Sequence, residues 1–229
     1  MDKDVGTDNL ELHEEVSEYD LMLFPTQDLV KYETKIVVCE AVDFRLQYHF
    51  NERLKEILMG KVTSDTSVKI YDEWGQNGYD QSVLAQAYIG PEVTAKTIAS
   101  LYDKSERDKI ESLDIGAGTG LVGEQLRKFG FSKIDALEPA SGMLGSARNK
   151  NLYRNYYNHY LKKDTLIEAN GGNIVLTMKK QYDVPGYSES MRSLIKHFEN
   201  SGKWEKKLES QFPNYFEDAI GVTYVFKLL

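Results

Sequence analysis

The sequence predicts an α/β fold built on a mostly parallel β-sheet. Three observations support this prediction. A predicted buried strand ending at Asp114 runs into a glycine-rich loop and a helix, a second short strand is closed by Glu138, and further strands alternate with helices towards the carboxyl terminus. Such alternation indicates a parallel sheet, because each helical crossover returns the chain to the same end of the sheet.

The glycine-rich loop is the most informative stretch of the chain. Glycines at alternate positions let a ligand lie directly against the backbone, because no Cβ stands between them. Apolar spacing predicts a helix from Leu121 that stops at Gly130. The strand end and the loop read Asp114-Ile115-Gly116-Ala117-Gly118-Thr119-Gly120.

Glu138 directly follows the next predicted strand, Lys133 to Leu137. A βαβ unit of this kind can hold a nucleoside, with the acid placed for the ribose hydroxyls. A dinucleotide fingerprint needs G-x-G-x-x-G, whereas position 121 is Leu and the third glycine is Gly120. An acid before the loop also disfavours a pyrophosphate and suits a ligand that carries positive charge. A tight turn in an unrelated α/β protein is the alternative.

Hydrophobic spacing places the elements on either side of this unit. Val42 to Leu58 has apolar residues at helical spacing, and Pro91 opens a second predicted helix. The aromatic segment Tyr153 to Tyr160 is compatible with a helix or a strand, and we interpret it as a strand because aromatic residues favour strands.

The carboxyl-terminal part alternates between the two types of element. Asp164 to Asn170 is predicted as the tail of a helix, and Asn173 to Met178 as an apolar strand. Met191 to Phe198 has helical spacing, and Val222 to Leu228 alternates as a terminal strand.

The negative charge of the chain is concentrated at its amino terminus. The net charge is −8, and residues 1–29 contain nine acids and one base, so that residues 30–229 sum to zero. The body of the chain has no basic excess, and we therefore expect no nucleic-acid partner. Residues 1–50 are expected to form an acidic, partly disordered extension.

Composition also argues against a membrane protein or a disulfide scaffold. The first residues lack the basic and apolar regions of a signal peptide, and no apolar run approaches the ~20 residues that span a bilayer. Cys39 is the only cysteine, and its apolar neighbours indicate a buried, inert thiol. We expect a protein of the cytoplasm or the nucleus.

The motif Asp114-x-Gly116-x-Gly118-x-Gly120 resembles motif I of the class I S-adenosylmethionine-dependent methyltransferases. The resemblance implies a Rossmann-like three-layer sandwich and S-adenosylmethionine as the cofactor. It implies that motif I, from Asp114 to Gly120, binds that cofactor and that Glu138 holds the ribose.

Further segments resemble the Williams-Beuren syndrome chromosomal region 27 group of methyltransferase-like proteins. The aromatic stretch with Tyr71, Trp74 and Tyr79 resembles the entry segment ahead of the core, and these rings are candidates to face the sulfonium. In the segment after the second strand, the resemblance implies that Pro139 and Met143 border the adenine. It covers roughly residues 53–229, which we expect to be the methyltransferase-like domain.

One departure from the family concerns length. Only 27 residues separate Met143 from Gly171, fewer than the ~30 or more that one βαβ unit needs. We therefore expect a domain shortened by about one βα unit, lacking the fourth strand. The first and fifth strands would then pair directly or leave an open seam.

The chemistry implied by the resemblance is direct methyl transfer from a sulfonium to an unidentified small molecule or protein. Such a reaction needs alignment and exclusion of water rather than a triad or a metal, so no catalytic residue is assigned and no metal is expected. His159 is the histidine closest to the expected pocket, but a structural role is favoured. The alternative function is a catalytically silent binding or regulatory protein, because a missing fourth strand would remove the wall beside the methyl group.

Overall fold

The computed structural model describes residues 31–41, 64–84, 87–161, 166–168, 171–180, 187–216 and 218–229. The helices are α1 (Ser64–Gln76), α2 (Tyr79–Leu84), α3 (Gly90–Ser100), α4 (Leu121–Lys128), α5 (Ser141–Asn149) and α6 (Tyr187–Asn200). The strands are β1 (Lys31–Glu33), β2 (Ile36–Ala41), β3 (Glu111–Ile115), β4 (Lys133–Leu137), β5 (Tyr156–Tyr157), β6 (Leu166–Glu168), β7 (Asn173–Lys179), β8 (Trp204–Phe212) and β9 (Gly221–Leu228).

Seven of these strands form one mixed sheet in the order β5-β4-β3-β2-β7-β9-β8. The first five strands in that order, β5, β4, β3, β2 and β7, run parallel to one another. Strand β9 is antiparallel to both β7 and β8. Strands β1 and β6 pair in parallel as a separate two-stranded sheet. The predicted α/β fold with a mostly parallel sheet is confirmed.

Strand β2 lies at the centre of the large sheet. It pairs with β3 on one side, from Ile36 to Cys39, and with β7 on the other side, from Ile36 to Ala41. The assignment of residues 1–50 to an extension outside the domain is therefore wrong for this strand. Its apolar run, Ile36 to Val38, is buried on both faces as in parallel sheets generally.

The expected seam between the first and fifth strands is also absent. The segment between β5 and β7 is as short as the sequence indicates, but the amino-terminal strand β2 occupies the position between β3 and β7. The sheet is thus complete, and its strands satisfy each other's backbone groups. The alternative of a catalytically silent protein rests on a missing fourth strand, and the presence of β2 in that place removes this ground.

Side chains alternate across the sheet and build two apolar clusters. On one face, Ile36 and Val38 pack with residues of α3, α4 and α5, including Ile98, Leu126 and Leu144. On the other face, Val37 packs with a smaller group. This period of two is the geometry of a strand buried on both sides.

Most individual elements match their prediction. The structure contains the βαβ unit around the glycine-rich loop, the helix opened by Pro91, the terminal strand and, over Tyr156–Tyr157, the aromatic strand. The prediction of a helix tail at Asp164 to Asn170 is wrong, because Leu166–Glu168 form β6 against β1. The helix predicted over Val42 to Leu58 lies outside the described residues. Within the described ranges, no helix is long and apolar enough to cross a membrane.

Candidate functional site

The glycine loop lies at the carboxyl edge of the sheet, between the end of β3 and the start of α4. Gly116, Gly118 and Gly120 have φ angles of +70°, +56° and +89°, a region that residues with a Cβ rarely adopt. The amide of Gly116 donates to the carbonyl of Leu137 at 2.8 Å, which fastens the loop to the end of β4. The loop therefore presents bare backbone at a parallel sheet's carboxyl edge, where ligands bind in open α/β folds.

Glu138 lies beside the loop, as the spacing of the two strands predicts. One carboxylate oxygen accepts from the amide of Gly118 at 2.9 Å, and the other accepts from the amide of Ala140 at 2.8 Å. Burial raises the pKa of this carboxyl, and the two amide hydrogen bonds oppose the shift by stabilising the charged form. Glu138 therefore shapes the loop as well as presenting an acid to the adjoining space.

A cavity of about 370 Å³ opens directly over the loop and Glu138. This volume falls within the range of small-ligand pockets. Seven of the predicted site residues line it: Tyr71, Tyr79, Gly116, Gly118, Glu138, Pro139 and Met143. Sequence reasoning missed four others: Ser67, Val68, Ala140 and Tyr160. The helical spacing of Ser67, Val68 and Tyr71 is a signal that could have indicated a shared face.

A second cavity, of about 30 Å³, also adjoins the loop. Ala117 and Thr119 line it, together with Tyr79 and Tyr88. Gly120 lines neither cavity, and a Cβ at this position would point towards Leu152, Tyr153 and Ala147.

Asp114 is buried rather than placed in the cavity wall. Its side chain is 1% exposed and accepts a hydrogen bond from the Tyr153 hydroxyl at 2.7 Å. Burial raises the pKa of Asp114 to about 7; the Tyr153 hydrogen bond opposes this shift, and the nearby charge of Glu138 adds to it. Ile115 also stays out of the cavity and packs with Val37 and Leu137 on the opposite face of the sheet.

The buried carboxyl of Asp114 predicts a pH-dependent stability. An acid whose pKa is raised on folding, here from 3.8 to about 7, stabilises the fold below pH 4 and loses that contribution as the pH rises through 7. Asp114→Asn keeps an acceptor for Tyr153 and cannot ionise. We expect it to be more stable than wild type at pH 7.5 by about 4 kcal/mol, because each of the roughly three pKa units corresponds to about 1.4 kcal/mol, and we expect the difference to shrink towards pH 4.5. Thermal denaturation of both proteins across this range measures it; a less stable variant at pH 7.5 would contradict the expectation.

Trp74 supports the aromatic wall from behind. It is buried, with its ring 4.7 Å from Tyr79 edge-on and 6.3 Å from Tyr71 in a stacked arrangement. Its indole nitrogen donates to the Ser82 hydroxyl at 3.4 Å. Tyr71 and Tyr79 line the cavity, whereas Trp74 holds them in place.

Helix α1 covers the cavity and is anchored on α5. The Asp72 carboxylate accepts hydrogen bonds from the amide of Gly142 and from the Ser141 hydroxyl, the latter at 2.7 Å. These bonds at the first turn of α5, the Gly142 amide foremost, lower the pKa of Asp72. The Tyr160 hydroxyl donates to Asp65 at 2.8 Å and ties the other end of α1 across the cavity.

No histidine of the described part of the chain lines the cavity. His159 is exposed and does not line the cavity. Cys39, the single cysteine of the sequence, is half-buried within β2. Among the described residues, no group of three or more histidine, cysteine or acidic side chains could hold a metal ion.

Comparisons with known proteins bear on the fold. No family model matches the chain. The human methyltransferase-like protein 27 is 23% identical, in an alignment that covers 59% of this chain and 66% of that protein. The chain thus spans slightly less than two thirds of the length of this curated relative. The match agrees with the resemblance drawn from the motifs.

The chain was also compared with solved structures, which bear on its architecture. Magnesium protoporphyrin IX methyltransferase from Synechocystis PCC 6803, solved with bound S-adenosylmethionine, matches with a TM-score of 0.50 and 11% identity over 73% of this chain and 99% of that one. An S-adenosylmethionine-dependent methyltransferase from Leishmania major matches at 0.47 and 13% identity over 70% of this chain and 82% of that one. Taken with the strand order and the glycine loop, the likeness to the Synechocystis structure means that the chain has the class I methyltransferase fold.

Proposed function

We propose that this protein is an S-adenosylmethionine-dependent methyltransferase. The observation that carries the proposal is the cavity itself, whose floor is the backbone of Gly116 and Gly118 and whose wall includes the Glu138 carboxylate. The names of the human relative and of the Synechocystis enzyme support the same reaction class. The methyl acceptor we propose is a small molecule or a protein, since residues 30–229 carry no basic excess.

The charge of the cavity suits a cationic nucleoside. None of the described residues that line it is a lysine, arginine or histidine, whereas Glu138 contributes a carboxylate. A dinucleotide would place a pyrophosphate near this acid without a compensating base. S-adenosylmethionine instead carries a sulfonium and an ammonium, which the rings of Tyr71 and Tyr79 can attract by cation–π interaction.

Glu138 retains the capacity to hold a ribose. A carboxylate offers about four lone-pair positions, and the amides of Gly118 and Ala140 occupy one on each oxygen. Because Glu138 lines the cavity, its remaining positions are available to accept two vicinal hydroxyls of a bound ligand. The same residue would therefore fix both the loop and the sugar.

When bound, the cofactor supplies an activated methyl group on its sulfonium. The protein's part is to orient the reactants and to exclude water, which can lower the barrier by ~7–11 kcal/mol for well-aligned groups. Helix α1, Tyr71 and Tyr160 cover the cavity and perform the exclusion. No residue of this chain needs to accept a proton for an acceptor that is already nucleophilic.

Loss of the Glu138 carboxylate tests the proposal. Glu138→Ala is expected to weaken the binding of S-adenosylhomocysteine by about 1.5–3 kcal/mol, the worth of hydrogen bonds to a charged acceptor. Isothermal titration calorimetry on the full chain measures the change. Glu92→Ala is the control, because Glu92 is an exposed acid paired with Lys96 on α3, away from the cavity.

Two results would contradict the proposed function. One is a wild-type chain that binds neither S-adenosylhomocysteine nor S-adenosylmethionine. The other is equal affinity in wild type and Glu138→Ala, which would place the ligand elsewhere. Tighter binding of NAD than of either methionine derivative would favour an oxidoreductase instead.

A further inference from the structure

A cluster of charged side chains meets the glycine loop at Thr119. The Asp80 carboxylate is its centre: the Thr119 hydroxyl donates to one oxygen, and the Lys150 ammonium lies 2.6 Å from the other. Lys150 also lies 3.7 Å from a carboxylate oxygen of Glu124. The cluster lies outside the 370 Å³ cavity, which none of these four side chains lines.

Each member of the cluster belongs to a different part of the site. Asp80 lies in α2 directly after Tyr79, which lines the cavity. Thr119 is in the loop, and Glu124 is in the first turn of α4, which the loop opens. Lys150 directly follows α5. The cluster thus joins three helices around the loop.

The loop needs such a restraint because of its composition. Three of its five residues from Gly116 to Gly120 are glycines held at positive φ, and glycine loses more conformational freedom on ordering than other residues. Thr119 is the one residue among these five with a hydrogen-bonding side chain. It is 2% exposed, so its hydroxyl depends on Asp80 rather than on solvent.

We propose that Asp80, oriented by Lys150, is a positioning residue that holds the glycine loop in its ligand-binding shape through Thr119. This inference rests on the proposed function for the identity of the ligand. Glu138 holds the Gly118 amide, and Asp80 holds the side chain of the next residue, Thr119. A loop fixed before binding does not have to be ordered by the ligand, and affinity rises accordingly.

Substitutions at Thr119 test the restraint with little change in volume. Thr119→Val removes the hydroxyl, and we expect it to raise the dissociation constant of S-adenosylhomocysteine about tenfold. Thr119→Ser restores the hydroxyl and is expected to recover most of the affinity, which a purely steric role of the side chain would not produce. Glu92→Ala again serves as the unrelated control.

Substitution of Asp80, the partner of Thr119, provides the second test. Asp80→Ala is expected to weaken binding at least as much as Thr119→Val does. The double variant is expected to bind no more weakly than Asp80→Ala alone, because both changes break the same Thr119–Asp80 hydrogen bond. Full additivity of the two changes would overturn the inference. So would a Thr119→Ser variant as weak as Thr119→Val.

Amide hydrogen exchange in the absence of ligand separates this inference from the proposed function. Thr119→Val and Asp80→Ala are expected to speed exchange at Gly118 to Gly120, with melting temperatures that identify any global unfolding. If exchange is faster in the two variants but wild type binds no methionine derivative, the proposed function is wrong and the inference that Asp80 restrains the loop still holds. Unchanged exchange at these amides in Thr119→Val would overturn the restraint itself.

Discussion

Replacing Val38 by aspartate is expected to unfold the domain or to remove most of its stability. Val38 is fully buried in β2, and it pairs in register with Asp114 on β3 and Val175 on β7. The new carboxylate would have no basic partner and would lie beside a carboxyl that is itself buried. The cost is expected to exceed about 4 kcal/mol, against the ~5–15 kcal/mol that stabilise a typical protein.

Leu208→Asp provides the matched control for this change. It introduces the same aspartate for an apolar residue in a strand, but Leu208 is 39% exposed on the edge strand β8. A loss of less than about 1 kcal/mol is expected there. Urea denaturation of both variants measures the difference. If Val38→Asp were as mild as Leu208→Asp, β2 would not be a central strand, and the seam predicted from the sequence would be real.

Adding one methyl group at Gly142 is expected to detach α1 from α5. A Cβ at this position would overlap the backbone carbonyl oxygen of Asp72, and a Cβ at Gly75 would lie 2.5 Å from the backbone nitrogen of Met143. The two helices therefore cross at glycines, and neither backbone can yield without breaking the Asp72 hydrogen bonds. Gly142→Ala is expected to cost about 3 kcal/mol and to lower the melting temperature by roughly 10 °C.

Gly145→Ala is the control on the same helix. A Cβ at Gly145 would meet no atom within 4 Å, so the substitution acts through helix propensity alone. We expect it to stabilise the protein by about 0.5–1 kcal/mol. Because α1 covers the cavity, Gly142→Ala is also expected to weaken S-adenosylhomocysteine binding at a temperature where the protein remains folded. Equal melting temperatures for the two alanine variants would contradict the close crossing.

The central βαβ unit could be predicted from the sequence because its information is local. A five-residue strand, alternate glycines, a helix and a second strand followed by Glu138 succeed one another without interruption. A crossover of this length forces the two strands to lie side by side, so that the acid comes to the loop. The contact between Glu138 and Gly118 follows from these constraints.

The origin of the strand beside β3 could not be predicted in this way. Ile36 to Ala41 is a short apolar run, which by itself indicates only a buried strand of unspecified partners. Its place between β3 and β7 depends on hydrogen bonds to segments more than 70 residues away in the chain. Pairing between strands so far apart in the chain leaves no periodic signal in a single sequence. The family resemblance covers only residues 53–229 and therefore places this segment outside the domain.

The site residues likewise divide into those whose roles the sequence predicts and those whose roles depend on tertiary packing. The sequence by itself determined the fold class, the glycine loop and the acid that meets it, because backbone geometry and chain connectivity dictate them. Only the tertiary structure decided that Asp114 and Trp74 lie behind the site, that Asp80 holds the loop, and that the amino-terminal strand completes the sheet. These features arise from packing between distant segments, where burial and partner geometry rather than residue type set what a side chain does.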